Sequence, residues 1–319
     1  VAVTRCHVTV ATVQVLMTLA LHWVRLHNGR YGEAAFDISF AFPGETADSY
    51  ALYFSRLGNA YQVWLNDSLL SHGGDMKRRG GADFVKAPLY ISIPSQLLRK
   101  QNSLRILIRA DGGRHGGVAA PLLGPEDEVR EIYSRAYRLR QVASLAVSIF
   151  SLLVGMTALV LWFTQTRLDN GSGRRTRDPV YLFASVAELG WALRTGDVLI
   201  EQPLLAWPWW GILVASAYAS WICAMTLFCH QVAGLQSRSA NRLLGAIFVS
   251  GVVASAWALL AAAPLVWTVW LGCAAIGFVV YGIYYSSLAL RHPDPTRVMV
   301  AIAVVANVLA GMRDWLVVR

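Results

Sequence analysis

Charge, lysine and cysteine are all scarce in this sequence, and each shortage excludes something. Only 15% of the 319 residues are charged, against about 25% in ordinary soluble proteins. With 55% hydrophobic residues and a mean hydropathy of +0.45, the composition is that of a membrane protein. Lysine occurs only at Lys77, Lys86 and Lys100, so arginine carries nearly all of the net charge of +9. A basic chain invites a nucleic-acid reading. Here the arginines stand between long apolar runs, where they orient membrane spans, and no nucleic-acid partner is expected. Of the four cysteines, Cys223, Cys229 and Cys273 lie inside apolar runs and behave as small hydrophobes; only Cys6 lies outside them. That excludes a disulfide framework and a metal site, and no cofactor is expected.

What the chain has in abundance is apolar length. Val142 to Phe163 is uncharged; as helix it is about 33 Å long, enough for a hydrocarbon core of about 30 Å. Further runs follow at about 179–200, 209–232, 243–262, 265–290 and 298–318. Leu243 to Leu290 has no Asp, Glu, Lys or Arg; at about 72 Å of helix it is two crossings, with Pro264 the divider. Short loops make residues 142–319 a compact all-α bundle of six spans.

Orientation follows from the loops. Arg167, Arg174, Arg175 and Arg177, then Arg238 and Arg242, then Arg291 and Arg297 occupy alternate connections, while Glu201–Trp207 and Ala261–Trp267 hold neither Lys nor Arg. By the positive-inside rule the basic loops are cytoplasmic and everything before the first span is outside. Pro203, Trp207, Trp209 and Trp210 are expected to form an outer interfacial belt. The chain starts at Val1 and stops at Arg319 directly after an apolar run, so both ends are read as cut. By parity, a cytoplasmic domain after Arg319 requires a seventh span.

Residues 1–125 read differently. Phe36–Phe42, Tyr50–Ser55, Tyr61–Leu65, Leu89–Ile93 and Leu104–Ile108 are short runs of aromatic and branched residues. Pro43-Gly44, Gly58-Asn59, Asn66-Asp67, Gly73-Gly74 and Gly80-Gly81 punctuate them, as in a β-sandwich or jelly roll. Cys6 to Val24 is uncharged, but its Val and Thr content favours extended structure over a signal anchor. Residues 126–141 read as a charged connecting helix that runs into the first span without Gly or Pro.

Tyr61-Gln62-Val63-Trp64-Leu65-Asn66-Asp67, a Gly-rich loop and Asn102-Ser103-Leu104-Arg105-Ile106 together resemble the galactose-binding-like jelly roll, the sugar-binding domain of family 2 glycosidases. The resemblance spans roughly Phe36 to Leu123 and implies a carbohydrate-like extracytoplasmic ligand. On that reading Tyr61 and Trp64 stack on a sugar, with Arg109 and Asp111 as polar contacts; the alternative is core aromatics and solvated loop charges. Sugar cleavage needs two carboxyls flanking a cleft. The acidic residues here are scattered or clustered at Glu126-Asp127-Glu128, so no catalytic residue is nominated.

Asp178-Pro179-Val180-Tyr181-Leu182, Trp191-Ala192-Leu193-Arg194, Pro208-Trp209-Trp210-Gly211 and Arg313-Asp314-Trp315-Leu316 resemble the bacterial seven-transmembrane receptors with diverse intracellular signalling modules, in the branch whose output is usually a histidine kinase. This implies an inner-membrane receptor with a periplasmic sensor, a cytoplasmic output domain with its response regulator, and a homodimer. The competing class is a transporter or channel with an external binding module, for which the only candidate helix break is Gly190 to Gly196. Intramembrane charge is a functional hypothesis by default. Glu188 sits about 14 Å deep; Arg194 and Asp197, three apart, are expected to pair; Asn307, Arg313 and Asp314 lie across the bundle as a second polar set for signal transmission.

Overall fold

The computed structural model describes residues 31–42, 49–114, 116–168, 175–235 and 237–317, with the backbone of 5–10, 13–18 and 21–22. At 167–168, 175, 307 and 309–317 only the backbone is described. The Pro43-Gly44 turn and Arg174 lie outside the described residues. The chain forms two compact units: a β-rich one of Val1–Val147, Thr195–Gly211 and Ala258–Pro264, and a helical one of the remainder.

In the β-rich unit the strands are β1 (Arg5–Val10), β2 (Val13–Thr18), β3 (Leu21–His22), β4 (Gly32–Ala41), β5 (Tyr50–Phe54), β6 (Ala60–Leu65), β7 (Ser68–Gly73), β8 (Leu89–Ile93), β9 (Gln101–Ala110), β10 (Gly117–Val118) and β11 (Leu122–Pro125). A six-stranded sheet has the order β2-β1-β4-β9-β6-β7, a three-stranded one β11-β5-β8, and β3 pairs with β10; the pairings are antiparallel. Period-2 alternation explains the core. Ile106 faces Phe36 on one side and Val63 on the other, and Leu52, Phe54, Ile91 and Ile93 from the second sheet close the same cluster. Every strand expected between residues 36 and 108 is present. The residues of 6–24 that are described are strands, with β1 joined to β4.

The β6–β7 hairpin turns at Asn66 and Asp67, both with positive φ (48° and 68°), which is the type I′ geometry that matches strand twist. Helix α1 (Glu126–Tyr137) packs on β5, β8 and β11. Val129 is buried beneath it, Tyr133 lies 5.5 Å from Tyr90, and Tyr90 donates to Glu126 Oε1 at 2.9 Å. The connecting helix is thus docked on the sheet. A π-helical turn, Arg138–Val142, follows, then α2 (Ala143–Thr164); Glu126–Thr164 is one helix of 39 residues.

Beyond α2 come a short hairpin, β12 (Thr166–Leu168) with β13 (Arg175–Arg177), and helices α3 (Pro179–Gly196), α4 (Trp209–Ala233), α5 (Arg238–Leu260), α6 (Pro264–Arg291) and α7 (Pro295–Val317). Among the described residues four helices are long and apolar enough to cross a membrane: Glu126–Thr164, α4, α5 and α6. The other two expected spans are the helices α3 and α7. Glu188 and Arg194 interrupt α3, and Pro295–Ala306 of α7 is apolar among the described residues. Gly190–Gly196, the candidate break of the transporter reading, lies within α3, which is helical throughout. The divider at Pro264 is real, with Ala262 at φ 51° and Pro264 in the first helical turn, where proline is tolerated.

Glycines stand at close helix approaches in the helical unit. A Cβ would meet Leu189 at Gly155, the Ala217 carbonyl at Gly190, Trp270 at Gly251 and Val304 at Gly282. Small residues at these points let apolar helices pack where lipid offers no hydrophobic driving force. Among the described residues α4 is the most enclosed of these four helices.

Candidate functional site: a buried charge network

Six ionisable side chains of the β-rich unit converge: Asp83, Lys86, Arg109, Asp111, Arg114 and Asp197. None is more than 14% exposed, and three cations balance three anions. Local structure positions each. Asp83 precedes the short 3-10 turn Phe84–Lys86 and Lys86 ends it, three residues apart. Arg109, the next-to-last residue of β9, is on the face opposite Ile106 and Ile108; carbonyls of Asp75 and Arg78 accept from its guanidinium and cover that face. Asp111 and Arg114 bracket the turn after β9, closed by Arg114 N–H to Asp111 O at 3.2 Å. Asp197 opens the 3-10 turn that follows α3.

The contacts form one network. Arg109 Nε is 3.1 Å from Asp111 Oδ1. Arg114 donates from Nη1 to Asp111 Oδ2 at 3.1 Å and sets Nη2 3.3 Å from Asp83 Oδ2. Lys86 Nζ lies 3.2 Å from Asp83 Oδ2 and 2.6 Å from Asp197 Oδ1. Asn59 stitches the centre, donating to Asp83 Oδ1 at 2.7 Å and accepting the Asp111 N–H at 2.9 Å. Trp210 donates its indole N–H to Asp197 at 2.7 Å. Trp207 donates to the Gly112 carbonyl at 2.7 Å and carries the Arg114 guanidinium 4.4 Å over its ring. Buried charges persist when they are paired, and each of these six has an opposite charge within 3.2 Å.

The structure brings Arg109 and Asp111 together, but inside this network rather than at an open surface, and they are not solvated loop ends. Tyr61 and Trp64 point to opposite faces of β6. Tyr61 is buried, edge-on to Phe84 at 5.7 Å, and burial raises its phenol pKa. Trp64 stands on the outer face opposite Arg105, itself paired with Asp37 at 2.9 Å. The expected Arg194–Asp197 pair does not form. The α-helix stops at Gly196, which takes Asp197 off the α-helical face; Asp197 meets Lys86 and Trp210, while Arg194 sits 5.9 Å from the Tyr218 ring. Glu188 is half-buried, with no ion pair among the described residues. The side chains of Asn307, Arg313 and Asp314 lie outside the described residues.

The interfacial belt is also corrected. Trp207 and Trp210 turn into the protein because their indole N–H groups find acceptors there; Leu204 (92% exposed), Leu205 and Trp209 are the exposed large apolar residues of that connection. Sequence reasoning missed Asn59, Asp83, Lys86 and Arg114. The available signal was Asp83 three residues before Lys86, one of only three lysines.

No protein-family model matches the chain, and no characterised protein matches it in sequence. Among solved structures it is similar to a Bifidobacterium dentium β-glucuronidase complexed with coumarin-3-O-glucuronide (19% identity, TM-score 0.27, covering 35% of this chain and 20% of that one). It is also similar to a Faecalibacterium prausnitzii β-glucuronidase (13%, TM-score 0.27, 36% and 21%) and to a Dictyoglomus thermophilum β-D-glucuronidase (14%, TM-score 0.27, 33% and 18%). The chain spans about a fifth of the length of these enzymes, and their activity is not transferred to it.

Proposed function

We propose that this chain is the sensor and transmembrane portion of a bacterial signalling receptor, a two-component sensor histidine kinase when intact. Its β-rich unit is a periplasmic jelly-roll-like sandwich, and six helices cross the inner membrane. One observation carries the reading. The β-rich unit includes the two connections without Lys or Arg, at 195–211 and 258–264, whereas the connections bearing the eight loop arginines belong to the helical unit. Charge bias and the division into units thus support the same grouping of these two connections with the sandwich. A ligand would bias the sandwich, α1 would carry that bias into α2, and the bundle would pass it inward; signalling requires differential affinity for two such states.

The test is topological. Alkaline phosphatase fused at Arg174-Arg175 should be inactive and a fluorescent protein fused there should fold and emit. An active phosphatase at that position would place the basic loops outside and overturn the receptor arrangement.

A further inference from the structure

We infer that Lys86 is a second mechanical coupling point between the sandwich and the α3–α4 connection, separate from α1. The inference deepens the receptor reading and rests on it for any role in signalling; the physical coupling stands or falls by itself.

Asp197 begins the α3–α4 connection, 111 residues from Lys86 in sequence. Lys86 Nζ reaches both its carboxylate, at 2.6 Å, and its backbone carbonyl, at 3.1 Å. The same carboxylate oxygen accepts the Trp210 indole N–H at 2.7 Å, from the first turn of α4. One carboxylate therefore ties together the exit of α3, the entry of α4 and the Asp83–Lys86 turn of the sandwich. Two backbone bonds reinforce the tie: Asp83 N–H to Glu201 O at 2.7 Å and Trp207 N–H to Gly80 O at 3.2 Å. Gly80, with φ +69°, approaches Trp207 so closely that a Cβ would stand 3.1 Å from it.

Lys86 is not needed to neutralise the rest of the network. Asp83 is also held by Arg114 and Asn59, and Asp111 by Arg109 and Arg114. Among the described residues Asp197 has Lys86 as its only cation. Losing Lys86 leaves Asp83 paired and Asp197 as a buried, unneutralised carboxylate, a costly state. The connection should therefore loosen while the sandwich core stays closed.

Hydrogen–deuterium exchange on the full chain in nanodiscs tests this. Lys86→Met should speed exchange at 197–200 and 207–210 about tenfold or more, through local opening. Amides of β4 and β9 should keep wild-type protection, and Lys86→Arg should restore most of the protection of the connection. Wild-type exchange at 197–210 in Lys86→Met overturns the inference, as does a uniform rise that includes β4 and β9. Asp197→Asn is the second variant: it should loosen the same connection, and loosening confined to 83–86 would also overturn the inference. A positive result combined with an active phosphatase at Arg174-Arg175 would keep the coupling and discard the receptor reading.

Discussion

The side-chain amide of Asn66 donates to Oδ1 of Asn102 at 2.9 Å, tying the tip of the β6–β7 hairpin to the start of β9. Asn66 also donates to the Leu97 carbonyl at 2.6 Å and accepts the Ser103 N–H at 2.9 Å. These are the two asparagines on which the jelly-roll resemblance rests, and the structure uses both for turn closure. Asn66→Ala should cost about 1–3 kcal/mol, through unmet polar groups and a positive φ that alanine resists. Asn66→Gly should cost less, because the turn geometry survives. Denaturant unfolding of the detergent-solubilised protein checks the order.

At Gly73 the constraint is space. A Cβ there would stand 2.4 Å from the Tyr61 ring and 3.1 Å from Phe84, and both rings are held edge-to-face. Gly73→Ala should destabilise the sandwich by about 1–3 kcal/mol. Thermal unfolding of Gly73→Ala paired with Tyr61→Leu should recover part of that loss.

Two ion pairs of the sandwich predict opposite outcomes. Asp111→Asn strips a carboxylate from two buried arginines and should cost about 3–5 kcal/mol. Asp37→Asn breaks an exposed pair with Arg105 and should cost under about 1 kcal/mol. Equal losses in thermal melts would refute the distinction.

Alkaline pH should also act through half-buried Tyr53 and buried Tyr61. Burial raises the pKa of Tyr53 and of Tyr61, so each favours the neutral form more in the folded state. The stability they contribute is complete below the unfolded value of about 10 and is lost as pH rises through the higher folded values. Melting temperatures should fall above about pH 10, and less steeply in Tyr61→Phe.

Glu188 gives a signalling prediction. It is half-buried on a helix proposed to span the membrane, where ionisable groups are costly. Glu188→Gln in the intact protein should change output at unchanged membrane level, and wild-type output would remove it from the relay.

The strands were legible because period-2 patterning and turn residues are local. Phe36, Val63 and Ile106 each have a polar residue on one side, Asp37, Gln62 and Arg105, and Asn66-Asp67 announces its own turn. The bundle was legible because apolar length is read directly from the chain. The charge network was not. Lys86 and Asp197 are 111 residues apart, and no spacing rule connects a 3-10 turn in a sandwich with the end of a helix. Helical spacing paired Arg194 with Asp197, and a change of backbone at Gly196 undid it. Trp207 and Trp210 misled for the same reason: composition suggests an interface, but an indole N–H goes wherever an acceptor is waiting.

The π-helical turn at Arg138–Val142 has a consequence for length. Arg140 donates to the Ser55 carbonyl at 3.0 Å, and Gln141 reaches toward the carbonyls of Lys86 and Val198 at 3.5 and 3.4 Å. A wide turn holds one residue more than an α-helical path, so this stretch carries slack. Removing one residue there would draw the slack out and spin everything downstream by about 100° about the helix axis. The protein has placed its spare residue where side chains can grip it, at the last step before the greasy run begins.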